Sequence, residues 1–358
     1  MRLSEYDNIV IAGMAAAVPS QKISVETYYE DFGQDTVQKF SEMAGVKEVV
    51  RAKDQQTASD LGYEAAVRLL ETNDIDRKDI GILIFVSQKP DYRSPATAFV
   101  LQKRLDLNAG VLCMDINLAC SGFVYGLQTA HALLNSSNKK YALLITADTS
   151  NKTLSREDRT MIMLFGDSGS ATLLEKTAVQ NHKSQFGLRT NGQKFKSIIT
   201  PAGAFRNMHL KNITEEWSDG IRRSDYNTHM KGMDVFGFSI TDVPLLMKDF
   251  LAHTNTSPED YDVFALHQAN LYILKQLSRK IKIPIDKIPI SIDLYGNNSS
   301  NAIPLLLCQH FAGTEQPNLR TFICGFGAGL SWACGAINID PKKILPILIT
   351  DAYYQDGL

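Results

Sequence analysis

Runs of apolar residues, broken by glycine, proline and polar clusters, predict that this chain alternates strand and helix. Residues 80–86 are almost wholly apolar, the composition of a strand buried on both faces of a sheet. Residues 8–13, 111–116, 141–147 and 169–174 predict further strands in the first half. Apolar positions 61, 65, 66, 69 and 70 form one stripe of a helix over 59–71, which Ser59 or Asp60 can cap. Residues 96–105 predict another helix, and 25–45 read as helical and mixed, with acidic Glu26, Glu30, Asp31, Asp35 and Glu42. The second half repeats the alternation, with helices over 238–251, 271–281 and 301–311 and strands over 263–266, 288–294, 321–324 and 333–339. Such alternation makes a parallel or mixed sheet with helices on its faces. Two stretches of it predict a duplication, divided between residues 176 and 177, although no residue identity between the halves is visible. Residues 205–232 break the pattern. They are polar and aperiodic, hold Trp217, Arg206, Arg222 and Arg223, and are long enough to mark a functional lid or a disordered insertion.

At 358 residues the chain exceeds what one core organises, which agrees with two halves. A hydrophobic content of 44% supplies ample core, and a formal net charge of −2 lacks the basic footprint of a nucleic-acid binder. Charged residues at the start leave no apolar signal-peptide core, and no run is long enough for a membrane span. Five cysteines without regular spacing give neither a disulfide framework nor a metal site. The expectation is a cytoplasmic protein with reduced thiols and no membrane or nucleic-acid partner.

Four stretches carry candidate chemistry. Cys120 follows the strand at 111–116 and precedes Phe123, Val124, Leu127, Ala130 and Leu134 at helical spacing, so it sits on a strand-to-helix turn. Free N–H groups and the dipole at a helix N-terminus predict a lowered thiol pKa there. Small neighbours Ala119, Ser121 and Gly122 let a substrate approach the sulfur. His267 stands at the C-terminal end of a predicted strand, where α/β sheets place ligand and catalytic groups. Asn297 opens a run of small polar residues that would equally serve as a turn and helix cap. Residues 325–332 are glycine-rich and can be an ordinary turn, or can present backbone N–H groups to a carbonyl oxygen.

Taken together, Ala119-Cys120-Ser121-Gly122, Phe165-Gly166-Asp167, His267-Gln268-Ala269-Asn270, Gly296-Asn297 and the closing glycine-rich turn resemble the β-ketoacyl-acyl carrier protein synthase III branch of the thiolase superfamily. The resemblance implies an α/β, five-layered αβαβα thiolase-like fold built from two duplicated halves, usually a homodimer. It implies that Cys120 accepts an acyl group from a thioester and condenses it with malonyl-acyl carrier protein as CO2 leaves. His267 and Asn297 would hydrogen-bond the malonyl thioester carbonyl, and the N–H groups of Cys120 and Gly329 would form the oxyanion hole for the acyl carbonyl. No cofactor or metal is implied, only coenzyme A or acyl carrier protein thioesters as substrates. Neighbouring branches fit less well. Thiolases place a second cysteine where this chain has Gly327, and elongating ketosynthases place a second histidine where it has Asn297.

The departures concern substrate. An early Trp and Arg that clamp adenine in the bacterial family fall near Lys39 and Met43, whereas Arg159 matches another nucleotide-contacting arginine. Ser94, before Pro95, replaces a Phe of the acyl pocket, and Phe326 is a further substrate-binding candidate. Tyr272 replaces a carrier-docking arginine, but Lys275 and Arg279 share its helical face and offer a basic surface to an acidic carrier protein. Cys113, Cys308, Cys324 and Cys334 read as buried packing residues. Two other readings remain open: a Cys120-dependent acyltransferase to an amine or alcohol, and a non-condensing scaffold subunit.

Overall fold

A computed structural model describes residues 2–178 and 183–357. The predicted buried run at 80–86 is the strand Ile80–Val86, with every residue buried. It lies in a six-stranded sheet ordered Leu348–Ile349, Ile9–Val18, Ser168–Lys176, Tyr141–Asp148, Ile80–Val86, Leu112–Ile116, here the N-sheet. A five-stranded C-sheet runs Arg2–Tyr6, Ser184–Thr190, Ser331–Ile339, Leu319–Gly327, Val263–Leu266. Both are mixed: Ile80–Val86 is parallel to both neighbours, and Val263–Leu266 is parallel to Leu319–Gly327.

Side-chain alternation along each strand builds the layers. Ile82, Ile84 and Val86 face a middle layer made by helices Gly122–Ser136 and Ala302–Phe311, whose other side meets Val263, Ala265, Ile323 and Ala333 of the C-sheet. Leu83 and Phe85 point the opposite way, onto helices Ala58–Thr72 and Thr97–Arg104. Helices Gly232–Thr254 and Leu271–Ile281 cover the outer face of the C-sheet through Phe250, Leu274 and Leu277. The result is the five-layered αβαβα arrangement. Its middle helices are buried between two sheets, so whatever they carry at their N-termini is held by both.

The boundary between residues 176 and 177 separates the last long strand of the N-sheet from the first of the C-sheet, but two short strands cross it. Arg2–Tyr6 pairs with Ser184–Thr190 in the C-sheet, and Leu348–Ile349 pairs with Ile9–Val18 in the N-sheet. Each terminus therefore closes the other half's sheet.

Four expectations need correction. No strand forms over 288–294; a single turn at Ile285–Lys287 and a short helix Ile292–Tyr295 stand there. Pro284 and Pro289 interrupt backbone pairing, and Ile288 and Ile292 meet the demand for burial by plugging two different clusters. The helix at Ala58 is capped by Thr57, with Asp60 completing a capping box. Residues 25–45 are helical and mixed as read, in the pieces Val25–Tyr28, Tyr29–Phe32 and Gln34–Ala44. Residues 205–232 are ordered by short antiparallel pairs, Glu215–Glu216 with Arg222–Arg223 and Ile198–Ile199 with His229–Met230. Arg223 is fully buried there, between Asp158 and Asp219. Cys308, Cys324 and Cys334 are buried as expected, whereas Cys113 is only half-buried, on the open edge strand of the N-sheet. Among the described residues no helix is long and apolar enough to cross a membrane.

Candidate active site

Cys120 sits in the turn between strand Leu112–Ile116 and helix Gly122–Ser136, where the Gly122 N–H closes onto the Ala119 carbonyl at 2.6 Å. The C-sheet meets it from the other side. A methyl group added at Gly327 would stand 3.1 Å from the sulfur, so only glycine lets this strand end approach the thiol so closely. The hydroxyls of Ser121 and Ser331 pair at 2.7 Å, and Ser331 Oγ donates to the Ala328 carbonyl at 2.8 Å. These two bonds fasten the 328–330 turn, with exposed Gly329 on it, to the cysteine turn.

The thiol is not acidified. Burial, and then the Asp148 carboxylate, push the Cys120 thiol up to about 12, against a hydrogen bond from Ser299 that favours the thiolate. A helix N-terminus contributes about 0.3–1 kcal/mol, whereas loss of water can move a buried group by up to about 3–5 pKa units. The larger effect wins, and the expected depression is overturned. In the free protein the sulfur is a thiol at neutral pH.

His267 follows strand Val263–Leu266 and extends its parallel pairing, its backbone N–H donating to the Cys324 carbonyl at 2.8 Å. Its ring meets Phe326 edge-on at 5.3 Å. Burial pushes the imidazole down to about 3, so the ring is neutral at physiological pH. Its Nδ1 is buried with no partner among the described residues. Gln268 holds the turn, donating to the Leu266 carbonyl and accepting the Ser291 N–H.

Asn297 is placed by two glycines that face one another. A side chain at Gly166 would lie 2.0 Å from the Tyr295 carbonyl oxygen, and Gly296 has φ +71°. Their close approach lets Gly166 N–H reach the Asn297 carbonyl at 3.1 Å and Asn297 N–H reach the Leu164 carbonyl at 2.7 Å. This contact joins the Phe165-Gly166-Asp167 and Gly296-Asn297 motifs. The Asn297 side-chain oxygen accepts the Ser299 N–H at 3.0 Å, which leaves the Nδ2 end of the amide as a donor. Ser299 itself has φ +50°, a sparsely populated conformation for a residue with a Cβ. Its hydrogen bond to Cys120 links the asparagine loop to the nucleophile.

The chain thus gathers Cys120, His267, Asn297 and Phe326 around the end of strand Leu319–Gly327. Arg159 is exposed beside buried Asp158, which pairs with Arg223. Lys275 and Arg279 are exposed on helix Leu271–Ile281, one and two turns beyond Tyr272, whose ring lies 5.8 Å from Phe236. Ser94 does not join the cluster within one chain. It is exposed and lines a cavity of about 370 Å³ with Phe99, Lys103 and Tyr354.

Sequence reasoning missed the polar floor of the site. Asp148 accepts from Ser87 Oγ, the Gln88 N–H and Ser300 Oγ, and Asn301 links Ser168 to Thr146. The only signal for Asp148 was an acid directly after a buried strand. Among the described residues no group of acidic, histidine and cysteine side chains is arranged to hold a metal ion.

Residues 114–192 match the family model of 3-oxoacyl-[acyl-carrier-protein] synthase III, and residues 251–339 match the model of its C-terminal part. A Campylobacter jejuni protein provisionally named 3-oxoacyl-[acyl-carrier-protein] synthase 3 is 31% identical over 97% of this chain and 98% of its own length. The chain belongs to the 3-oxoacyl-[acyl-carrier-protein] synthase III family. A synthase III of Clostridium beijerinckii is 30% identical over 91% of this chain and 98% of its own. The crystal structure of a Burkholderia xenovorans 3-oxoacyl-(acyl-carrier-protein) synthase superposes with a TM-score of 0.90 at 35% identity, covering 98% of this chain and 99% of that one. Synthase III proteins are condensing acyltransferases with a thiolase fold, working in fatty acid biosynthesis. The gathered cysteine, histidine and asparagine are side chains suited to that class of reaction.

Proposed function

We propose that this chain catalyses a decarboxylating condensation between an acyl thioester and malonyl-acyl carrier protein. The observation that carries the reading is the link from Cys120 through Ser299 to the Asn297 amide, opposite a neutral His267. In the first step the Cys120 sulfur attacks the thioester carbonyl carbon. The new C–S bond forms as the old one breaks, and the cysteine proton passes to the departing thiol. The N–H groups of Cys120 and Gly329 receive the transient oxyanion. In the second step malonyl thioester loses CO2, and its electron pair becomes an enolate whose oxygen accepts from Asn297 Nδ2 and His267 Nε2–H. With no acceptor at Nδ1 among the described residues, we place the histidine proton on Nε2. The enolate carbon then attacks the acyl-cysteine carbonyl. A C–C bond forms, the C–S bond breaks, and solvent reprotonates Cys120. Donors fixed where negative charge develops lower both barriers without reorganising.

Phe326, Arg159 and Ser94 are proposed to contact substrate, and exposed Lys275 and Arg279 to dock the acyl carrier protein. The reading uses no metal or cofactor and places the enzyme in the cytoplasm. It acts as a homodimer through the open edge strand Leu112–Ile116, where Leu112 is 42% exposed and nearby Phe99 50%. The halves 1–176 and 177–358 contribute the nucleophile and the two decarboxylation donors respectively. The test supplies acyl thioesters and malonyl-acyl carrier protein and follows CO2 and the 3-oxoacyl product. Product from wild type and none from Cys120→Ala supports the reading; acyl transfer to an amine or alcohol with no CO2 overturns it.

A further inference from the structure

The segment that follows strand Leu348–Ile349 reaches from the edge of the N-sheet to the loop that carries Ser94. It starts beside Val18, whose strand runs parallel to the one ending in Asp148, so it crosses at the crevice end of the sheet. The Thr350 N–H donates to the Val18 carbonyl at 2.9 Å, and the Asp351 carboxylate accepts from Ser20 N–H, Ser20 Oγ and Lys53 Nζ. Buried Gln56 donates to the Thr350 and Ala352 carbonyls, each at 3.0 Å. Tyr354 then gives its N–H to Asp60 Oδ1 at 3.0 Å, and its ring lies 4.6 Å from the Arg104 guanidinium. Beyond that point Tyr354 and Asp356 face Tyr92, Ser94 and Pro95 across the cavity of about 370 Å³.

Arg104 joins this segment to the loop. Its side chain is only 6% exposed, with the Tyr63 ring at 4.2 Å, the Tyr354 ring at 4.6 Å and an ion pair to Asp60 at 2.9 Å. The same Arg104 Nη1 donates to Ser59 Oγ at 3.2 Å, and Ser59 Oγ in turn donates to Asp91 Oδ2 at 2.6 Å. The loop itself is tied at both ends. Ser87 Oγ and the Gln88 N–H donate to Asp148 on the crevice floor, and the Thr97 and Ala98 N–H groups donate to Asp115. Between residues 90 and 95 every hydrogen bond found among the described residues involves Asp91, through its N–H to Thr97 Oγ1 and its carboxylate to Ser59 and Thr57. The middle of the Ser94 loop therefore takes its position from Asp91, and Asp91 takes its own from the side chains that Arg104 and Asp60 fix.

We infer that Tyr354 is a positioning residue for acyl-chain selection: its N–H and ring fix Asp60 and Arg104, these fix Ser59 and Asp91, and Asp91 sets where Ser94 stands. An arginine side chain has much rotamer freedom to lose, so an aromatic face that covers the guanidinium decides whether it stays in one place. Without that ring, water reaches the Arg104–Asp60 pair, and the bond to Ser59 competes with solvent. Tyr354 lies outside the Cys120, His267 and Asn297 cluster, so it acts on the choice of acyl chain and leaves the chemistry to others. The effect on acyl choice rests on the reading that Ser94 contacts substrate; the brace from Tyr354 to Asp91 does not.

The test compares the full-length wild type with Tyr354→Phe and Tyr354→Ala. Hydrogen exchange over residues 88–98, followed by mass spectrometry, reads the loop. Competition between short and long straight-chain acyl thioesters for Cys120, with no malonyl donor present, reads the preference. Tyr354→Phe keeps the ring and the N–H and matches wild type in both measurements. Tyr354→Ala exchanges the loop amides faster, leaves those of strand Ile80–Val86 as in wild type, and shifts the ratio of long-chain to short-chain acylation about tenfold. Unchanged loop exchange in Tyr354→Ala overturns the brace, and faster exchange throughout the N-sheet does so too, by making Tyr354 a general stabiliser. Faster loop exchange with an unchanged acylation ratio overturns the link to acyl choice. If wild type takes up no acyl group from any thioester, the proposed function falls, and loop exchange alone decides the brace.

Discussion

Two regions of this molecule bury ionisable side chains, and they do so in opposite ways. Around Arg223 the charge is kept and paired: two carboxylates, a tryptophan face and a histidine nitrogen surround one guanidinium. In the crevice of Cys120 and His267 the charge is removed. Burial drives the thiol up to about 12 and the imidazole down to about 3, and His267 Nδ1 has no partner among the described residues. Charge pairing marks a structural clamp, because both terminal nitrogens of the guanidinium are already bonded within the chain. Unsatisfied neutral groups in a glycine-opened crevice mark a site whose partners arrive with the substrate.

The comparison breaks first at Arg223. Arg223→Met leaves Asp158, 3% exposed, as an unpaired buried charge, and losing one partner of such a pair costs about 3–5 kcal/mol. The loss is local to the segment it anchors, so limited proteolysis should cut within residues 205–231 of the variant and spare the wild type. Acylation of Cys120 by a pantetheine thioester should survive. Equal proteolytic resistance would show that the clamp is not what orders this segment.

Next in size is the split between donors and nucleophile. Asn297→Ala or His267→Ala should slow malonyl decarboxylation by about 10²–10³, the usual effect of deleting one oxyanion donor. Acylation of Cys120 should stay within a few-fold of wild type. Single-turnover assays of each half-reaction measure the two separately, and an equal fall in both would make the pair structural.

A smaller effect follows from linkage. His267 is neutral in the folded protein down to about pH 3, while the unfolded chain protonates it below about 6.5. The unfolded state therefore binds the extra proton across that window, and stability is lost as pH falls through it. At pH 5 this contribution is about 2 kcal/mol. Denaturation of His267→Asn should accordingly show its stability deficit relative to wild type shrinking by about that amount between pH 7.5 and pH 5. A deficit independent of pH would mean that the imidazole keeps an ordinary pKa.

The smallest effect concerns the sulfur itself. Iodoacetamide labelling of Cys120 should keep rising with pH through 10, as the thiol at about 12 predicts. Asp148→Asn removes a nearby negative charge, lowers that pKa and should speed labelling a few-fold at a fixed pH below it. A rate that levels off near pH 7 would restore the acidic thiol.

Much of this was legible in the chain. The all-buried run Ile80–Val86 and the helical spacing after Cys120 announced the layers, and the short motifs around Cys120, His267 and Asn297 located the crevice. Local pattern failed where distant contacts decide. Residues 288–294 look like a strand because they are rich in isoleucine, yet Pro289 within them, Pro284 before them and two separate clusters leave them no sheet to join. The thiol's own helix points to acidification, while its environment is set by Gly327 and Asp148 from other elements. Arg223 lies in a segment that reads only as polar and aperiodic, and the burial of its side chain depends on Asp158, 65 residues away. Ser299 resembled a helix cap because no sequence signal shows that its N–H turns to Asn297 and its hydroxyl to Cys120.

Intact-protein mass spectrometry after brief exposure to acyl thioesters tests the central claim that Cys120 carries the acyl group. Wild type and Asn297→Ala should each gain the mass of one acyl group, Cys120→Ala should gain none, and adding malonyl-acyl carrier protein should discharge the wild-type adduct but not that of Asn297→Ala. An acyl adduct on Cys120→Ala, or an Asn297→Ala adduct discharged as fast as wild type, would contradict the account.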